Sequence, residues 1–349
     1  MSRIVSVYDP GHEIREQEAL ALHRNENLFV GPDWTLEAAT KAVAEAAIAS
    51  YPNPSADPVR QAIADLYGVD FENVFVGNGA DEVLAYLLAS LRHSHDRLGI
   101  QDVCFKVYDQ LAERFGFRLE RLPGDTFRTG RIASEGWRGL ALADSPNAIT
   151  GVSIGREELF RLAGDERSFL IWDNVYGEYA GESLPLPIRN NVAFVRSFSK
   201  FYALAGLRIG YAIADRGVIR QLLDHKDAFN VNSFAQVMAL EALGRRGHFE
   251  ALLEEALRCR RELIAGLRRL GFCVHESKGI SVLAAHPDFT GESLQSGLLE
   301  RKVVVRRFRD ELTRNHIRVT VAPPETMGRF FCALTAVLEA GKQGGQAEA

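Results

Sequence analysis

Between residues 73 and 224 short apolar runs alternate with stretches of helical pattern, and this limits the possible fold more than any other feature of the chain. Runs at 73–76, 102–105, 117–122, 139–143, 169–172, 193–196 and 208–214 are expected as strands. Segments 109–115, 156–163 and 218–224 are expected as helices, after two earlier ones at 35–49 and 58–67. Such alternation predicts an α/β fold, with a mostly parallel sheet flanked by helices. Beyond it, 232–270 reads largely as one long helix. The order strand–helix–strand–strand–helix follows at 280–285, 293–300, 303–306, 317–321 and 327–339, which predicts a smaller α+β domain. The expected organisation is an N-terminal arm joining part of the small domain (1–40), a large domain (41–250), a C-terminal small domain (251–340) and a disordered tail (341–349). With 349 residues, 46% of them hydrophobic, the chain has ample apolar content for a large core.

A formal net charge of −5 disfavours a nucleic-acid partner. No apolar run approaches the roughly 20 residues of a membrane span, and the N-terminus lacks a signal-peptide core, so neither membrane nor export is expected. The four cysteines form no C-x-x-C pair and read as reduced thiols of a cytoplasmic protein. The histidines show no metal-ligand spacing, and no metal is expected.

Ligands of parallel sheets bind outside the carboxyl ends of the strands, and three such ends carry chemistry here. The first runs from Arg196 to Tyr211 and holds Ser197, Ser199, Lys200 and Arg208. Hydroxyls with an arginine suit a phosphate. A lysine shielded by Phe198, Phe201 and Tyr202 suits a Schiff base. Together they point to pyridoxal phosphate, against the alternative of a basic loop with ordinary surface serines. The second is Gly77-Asn78-Gly79-Ala80-Asp81-Glu82 before a helical pattern. Free N–H groups at Ala80 and Asp81 would face an anion there, or Asp81 only complements the helix dipole. The third is Phe169-Leu170-Ile171-Trp172-Asp173 with Tyr176 three residues on. Asp173 is the candidate to keep a pyridine nitrogen protonated, although taken by itself it reads as a cap or turn residue, and Tyr176 is the candidate to donate to the ring oxygen. Asn147, after the run 139–143, either donates to that oxygen or forms an Asx turn.

These motifs resemble those of fold-type I pyridoxal-phosphate aminotransferases, and in particular the histidinol-phosphate aminotransferase family. Asn25-Glu26-Asn27 with Gly31-Pro32 resembles the family's N-E-N-P-x-G-P. Tyr51-Pro52-Asn53-Pro54 resembles Y-P-D-P, and the Gly77–Glu82 stretch resembles G-N-G-[SA]-D-E. Asp173 and Tyr176 fit D-x-x-Y, Ser197 to Tyr211 fits S-x-S-K…G-L-R-x-G-Y, 229–236 fits F-N-V-N-x-x-A-Q, and Ile317-Arg318-Val319-Thr320 fits L-R-[IV]-[ST]. The resemblance implies that Lys200 carries the cofactor and shuttles a proton. It implies that Asp173 pairs with the ring nitrogen, that Tyr176 contacts the ring oxygen, and that Ala80, Asp81, Ser197, Ser199 and Arg208 hold the phosphate. It implies stacking of Phe105 on the ring, with Tyr108 as second choice. Arg318 and Asn27 would face the substrate, Arg318 clamping its carboxylate. Tyr51 would reach the phosphate of the neighbouring subunit's cofactor, which implies a homodimer with shared active sites.

Three segments depart from the family pattern. Its N-N-P-T-G is Asn147-Ala148-Ile149-Thr150-Gly151 here, so Ala148 stands where the ring-contacting asparagine is usual. Either Asn147 substitutes through a shifted turn, or Tyr176 acts alone. Val103 replaces a proline beside the stacking aromatic, and 277–282 lacks the usual A-N-F. The expected function is a pyridoxal-phosphate aminotransferase moving an amino group between an amino acid or histidinol-phosphate-like amino-alcohol phosphate and a 2-oxo acid, in amino-acid biosynthesis. A decarboxylase of threonine-phosphate type and a degenerate, non-catalytic cofactor-binding protein are the alternatives.

Overall fold

A computed structural model describes residues 19–122, 124–134 and 136–347, with side chains as far as Gly341. Residues 1–18 of the predicted arm and residues 348–349 of the predicted tail lie outside the described residues.

The large sheet has seven strands. In spatial order they are Val74–Gly77, Gly210–Ile213, Val192–Ser197, Phe169–Asp173, Leu140–Asp144, Arg97–Ile100 and Arg118–Arg121. Gly210–Ile213 is antiparallel to both neighbours, and the remaining pairs are parallel. The two faces bury alternate residues of the same strands. Val74, Val76, Ala141, Leu170, Trp172 and Phe194 enter one core, and Phe75, Leu140, Leu142, Ile171, Ala193 and Val195 the other. Burial on both faces makes these strands read as continuous apolar runs.

Three expectations are corrected. The strand expected at 102–105 lies at Arg97–Ile100, and 102–105 leads into helix Val107–Arg114. Only Leu98 and Ile100 of that strand are apolar side chains. Gly99 is required because a Cβ there would lie 2.6 Å from the Trp137 ring, and this glycine hides the strand in the sequence. The single helix expected at 232–270 is two, Ser233–Gly244 and Arg246–Arg269, separated at Arg245. The first is capped by Asn232, whose side chain accepts from Ala235 N–H at 2.8 Å. The last helix spans Pro324–Ala347 and so runs into the tail expected to be disordered. Val337 and Leu338 are buried, and a Cβ on Gly341 would lie 2.3 Å from the Phe289 ring, so the helix is packed against the domain as far as Gly341.

The second sheet has five strands, in the order Leu20–Leu22, Val303–Arg307, His316–Thr320, Ser281–Ala285, Cys273–Val274. Leu20–Leu22 pairs in parallel with 303–305, so the chain enters this sheet before building the larger one. Among the described residues no helix is long and apolar enough to cross a membrane.

Candidate active site

A cleft of about 1320 Å³ opens at the carboxyl ends of the large sheet and is walled on its far side by Arg318 and the segment 306–310. At one end two loops meet. Strand Val74–Gly77 turns through Gly79, at φ +86°, into helix Ala80–Leu91. A Cβ on Gly79 would lie 2.7 Å from Arg208 Nη2, and one on Gly210 would lie 2.5 Å from the Ala80 nitrogen. Both glycines are therefore needed for the approach. Arg208 Nη2 donates to Asp81 Oδ2 at 3.0 Å and Nη1 to Ser199 Oγ at 3.5 Å, while Ser199 N–H donates to Ser197 Oγ at 3.0 Å. The structure thus gathers Ala80, Asp81, Ser197, Ser199 and Arg208 around one concave corner at a helix N-terminus.

At the other end lies Asp173, 6% exposed. The Tyr108 hydroxyl donates to Oδ2 at 2.7 Å and Val175 N–H to Oδ1 at 3.2 Å. Burial pushes the carboxyl up to about 6, against the pull of the Tyr108 hydroxyl. Tyr108 is fully buried, and its ring meets Phe105 edge-on at 5.9 Å; both line the cleft. Between the two ends Lys200 Nζ donates to the Asn25 carbonyl at 2.9 Å and lies 5.6 Å from the centre of the Tyr176 ring. Arg318, 8% exposed, donates through Nη1 to the Ala148 carbonyl at 2.7 Å and through Nη2 to the His23 carbonyl at 2.9 Å.

The Asp173 carboxyl has a linked effect on stability. Its pKa in the fold lies above the ordinary 3.8, so it favours the folded state below about pH 3.8 and loses that contribution as pH rises through 6. Two units amount to about 3 kcal/mol. In the cofactor-free protein, Asp173→Asn is expected to gain stability relative to the parent by about this much between pH 4 and 8. Urea midpoints at both pH values measure it, and a pH-independent difference refutes it.

Three predicted site residues do not line the cleft. Asn147 does not line the cleft. Its Nδ2 donates to the Val103 carbonyl at 2.8 Å and to Asp144 at 2.9 Å, and its Oδ1 accepts from the N–H groups of Ile149 and Thr150. The Asx-turn reading is the correct one, because the turn consumes every hydrogen bond of the amide. Asn27 is likewise absent from the lining: it donates to the Phe201 carbonyl at 3.0 Å and accepts from Phe29 N–H at 3.1 Å, which fastens the arm. Its neighbour in the motif takes the place near the site. Asn25, at φ +55°, donates to both the Tyr176 hydroxyl and the Ala148 carbonyl at 3.1 Å. Asn25 and Asp144, a second buried acid that lines the cleft, were not singled out in the sequence. Alternation of two asparagines around Glu26 was a signal for the first, and a strand-end position matching that of Asp173 for the second. Tyr51 does not line the cleft; it is 82% exposed and stacked on Phe229 at 4.5 Å.

The architecture is that of fold-type I pyridoxal-phosphate enzymes. It superimposes on the L-threonine-O-3-phosphate decarboxylase of Porphyromonas gingivalis with a TM-score of 0.81, at 22% identity, covering 92% of this chain and 99% of that one. The histidinol-phosphate aminotransferase of Sinorhizobium meliloti, solved in complex with pyridoxal-5'-phosphate, gives 0.81 at 22% identity, covering 93% of each chain. In sequence, the profile described as "Aminotransferase class I and II" matches residues 17–334. "Histidinol-phosphate aminotransferase 2" of Rhizobium meliloti (strain 1021) is 35% identical over 95% of this chain and 96% of its own, and that of Thiobacillus denitrificans is 33% identical over 95% and 94%. The chain belongs to the class I and II aminotransferases, which depend on pyridoxal 5'-phosphate, and within them to the histidinol-phosphate aminotransferase family.

The residues present fit that cofactor. The glycine-lined corner would be filled by a Cβ, its hydroxyls and guanidinium suit a phosphate, and a buried acid and a lysine line the same cleft.

Proposed function

We propose that this aminotransferase moves an amino group between an amino-alcohol phosphate of the histidinol-phosphate class and a 2-oxo acid, as a homodimer with shared sites. The observation that carries the reading is the position of Arg318. Its guanidinium lines the same cleft as Lys200, held by the Ala148 and His23 carbonyls, and brings a positive charge there for an anionic group of the substrate. The names of the relatives support the phosphate class.

Bound there, pyridoxal phosphate supplies an electron sink for the bond broken at the substrate Cα. The chain does the rest. Arg208, Ser197, Ser199 and the N–H groups of Ala80 and Asp81 would hold the phosphate. Asp173 would hold a proton on the ring nitrogen. Tyr176, oriented by Asn25, would donate to the ring oxygen in place of the asparagine missing at 148. Phe105 would cover one face of the ring, since the Tyr108 hydroxyl is committed to Asp173. The Lys200 amine would carry the cofactor and then move a proton at Cα.

The dimer reading rests on a run of exposed apolar side chains around the helix Pro32–Glu45: Leu36 at 70%, Val43 at 57%, Ile48 at 72% and Tyr51 at 82%. Monomers seldom leave so many large apolar groups together in water. Tyr51 would reach across to the partner's phosphate corner. Replacing both Leu36 and Ile48 by glutamate is expected to weaken the dimer by about 100-fold or more, from about 1.5–3 kcal/mol per apolar side chain. Sedimentation equilibrium measures it, and an unchanged dimer constant contradicts it. The five-stranded sheet, with Leu20–Leu22 in it, supports an arm and small domain built from 1–40 and 251–340 around a large domain at 41–250. A biosynthetic role supports a cytoplasmic location.

The deciding experiment is an amino-donor screen on the purified protein. Conversion of the cofactor to its amine form by histidinol phosphate, reversed by a 2-oxo acid, supports the proposal. Stoichiometric release of CO₂ from a phosphorylated amino acid sinks it in favour of decarboxylation.

A further inference from the structure

Asp144 is a buried acid for which the reaction outlined above has no use. It ends its strand in register with Asp173 of the neighbouring parallel strand, so both side chains leave the sheet on the same side. Both line the cleft, and Asp144 is only 2% exposed. Its oxygens both accept: Oδ1 from Asn147 Nδ2 at 2.9 Å and Oδ2 from Ala148 N–H at 2.9 Å. A protonated carboxyl would turn its O–H on one of these donors, so the hydrogen bonding suits the anion. The groups around it do not supply a matching cation. Asp173 lies on one side, with the Tyr108 hydroxyl beside it. The buried Cys104 thiol lies on the other, and Arg121 there reaches Cys104 Sγ at 3.8 Å but is paired with Asp109 at 2.6 Å. Lys200 acts on Asp173 and donates to the arm carbonyl. Among the described residues no ion pair with Asp144 is found. Burial accordingly raises its carboxyl to about 7, with Ala148 N–H pulling the other way.

We propose that Asp144 is a second carboxylate at the ring-nitrogen end of the cofactor pocket, which adds its charge to that of Asp173 and at the same time fastens the turn that carries Ala148. The proposal rests on the reading of the cleft as a pyridoxal-phosphate site. A buried anion lacking a protein cation is stabilised by a protonated ring nitrogen, and by reciprocity the ionised Asp144 holds that proton more firmly. The preference for a cofactor with a ring nitrogen should then exceed what Asp173 alone provides, and should grow as Asp144 ionises.

The test compares pyridoxal phosphate with 1-deazapyridoxal phosphate, in which carbon replaces the ring nitrogen. Both are titrated into cofactor-free parent and Asp144→Asn protein, with binding followed by intrinsic fluorescence. At pH 8 the parent's preference for the nitrogen-bearing ligand is expected to fall by at least roughly tenfold in the variant, one pKa unit of charge interaction. Affinity for the deaza ligand should fall much less than that for pyridoxal phosphate, whereas a merely structural role for Asp144 would weaken both alike. Equal preference in the two proteins overturns the proposal. So does equal weakening of both ligands. If the variant fails to fold, the parent decides: a preference that does not change between pH 6 and 8 overturns it. Failure of the parent to bind either ligand instead removes the reading of the cleft itself.

Discussion

Replacing Lys200 by alanine is expected to lower transamination by about 10⁴-fold, the upper end of what one positioned acid–base group contributes. Lys200 lies in the cleft with Arg208 and Asp173, and the Asn25 carbonyl holds its amine there at 2.9 Å. On the proposed function, its loss would remove both the group that carries the cofactor and the base that moves the Cα proton. The phosphate corner does not depend on it, because Arg208 is placed by Asp81 and Ser199. Cofactor affinity should therefore fall much less than turnover. Single-turnover absorbance with an amino donor, alongside equilibrium binding of the cofactor, separates the two effects. A variant that keeps its rate to within tenfold would remove Lys200 from the reaction. One that loses rate and cofactor together would make its role purely one of attachment.

Much of this site was legible because polar residues interrupt apolar strands where a parallel sheet binds its ligands. Asp173, Ser199 and Lys200 stand at the end of buried runs and Arg208 just before one, and the structure brings all four to one cleft. The asparagines were harder to read. Asn147 and Asn27 stand beside the site, but an amide is equally suited to hold a turn, and each has its hydrogen bonds satisfied locally. Which asparagine faces the cleft depends on the left-handed backbone at Asn25, and no spacing rule specifies that. Asp144 stayed hidden because its partners are chosen by strand register: it lies beside Asp173 only once strands Leu140–Asp144 and Phe169–Asp173 pair. The strand at Arg97–Ile100 was obscured by a glycine that makes room for Trp137.

Removing the Glu178 carboxylate is expected to cost about 3–5 kcal/mol of stability, the range for breaking a buried ion pair from one side. Arg196 and Glu178 are 2% and 5% exposed in their side chains, with Nη1 at 2.6 Å from Oε2, and Arg196 Nη2 also donates to the Glu182 carbonyl at 2.6 Å. Burial opposes the guanidinium charge, and Glu178 together with Tyr67 and Tyr211 offsets it and raises the pKa of Arg196; because a guanidinium is not deprotonated in proteins, the arginine stays charged when the carboxylate is removed. Glu178→Gln would leave that cation in a shell of tyrosines, among them Tyr67 and Tyr211. The double change Arg196→Met with Glu178→Leu should recover most of the loss, since apolar groups of similar volume replace buried ion pairs at little cost. The pair also has a place in the site. Arg196 directly precedes Ser197, and Glu178 lies two residues beyond Tyr176, so it joins the strand proposed to carry phosphate contacts to the turn proposed to carry the ring-oxygen donor. Urea unfolding of the cofactor-free proteins measures the stability term, and the KM and kcat of the refolded double variant measure the positional one. A Glu178→Gln loss below about 1 kcal/mol, the range of exposed pairs, would mean that water reaches the pair. A double variant with full stability but reduced kcat would assign the ion pair to alignment of the two loops.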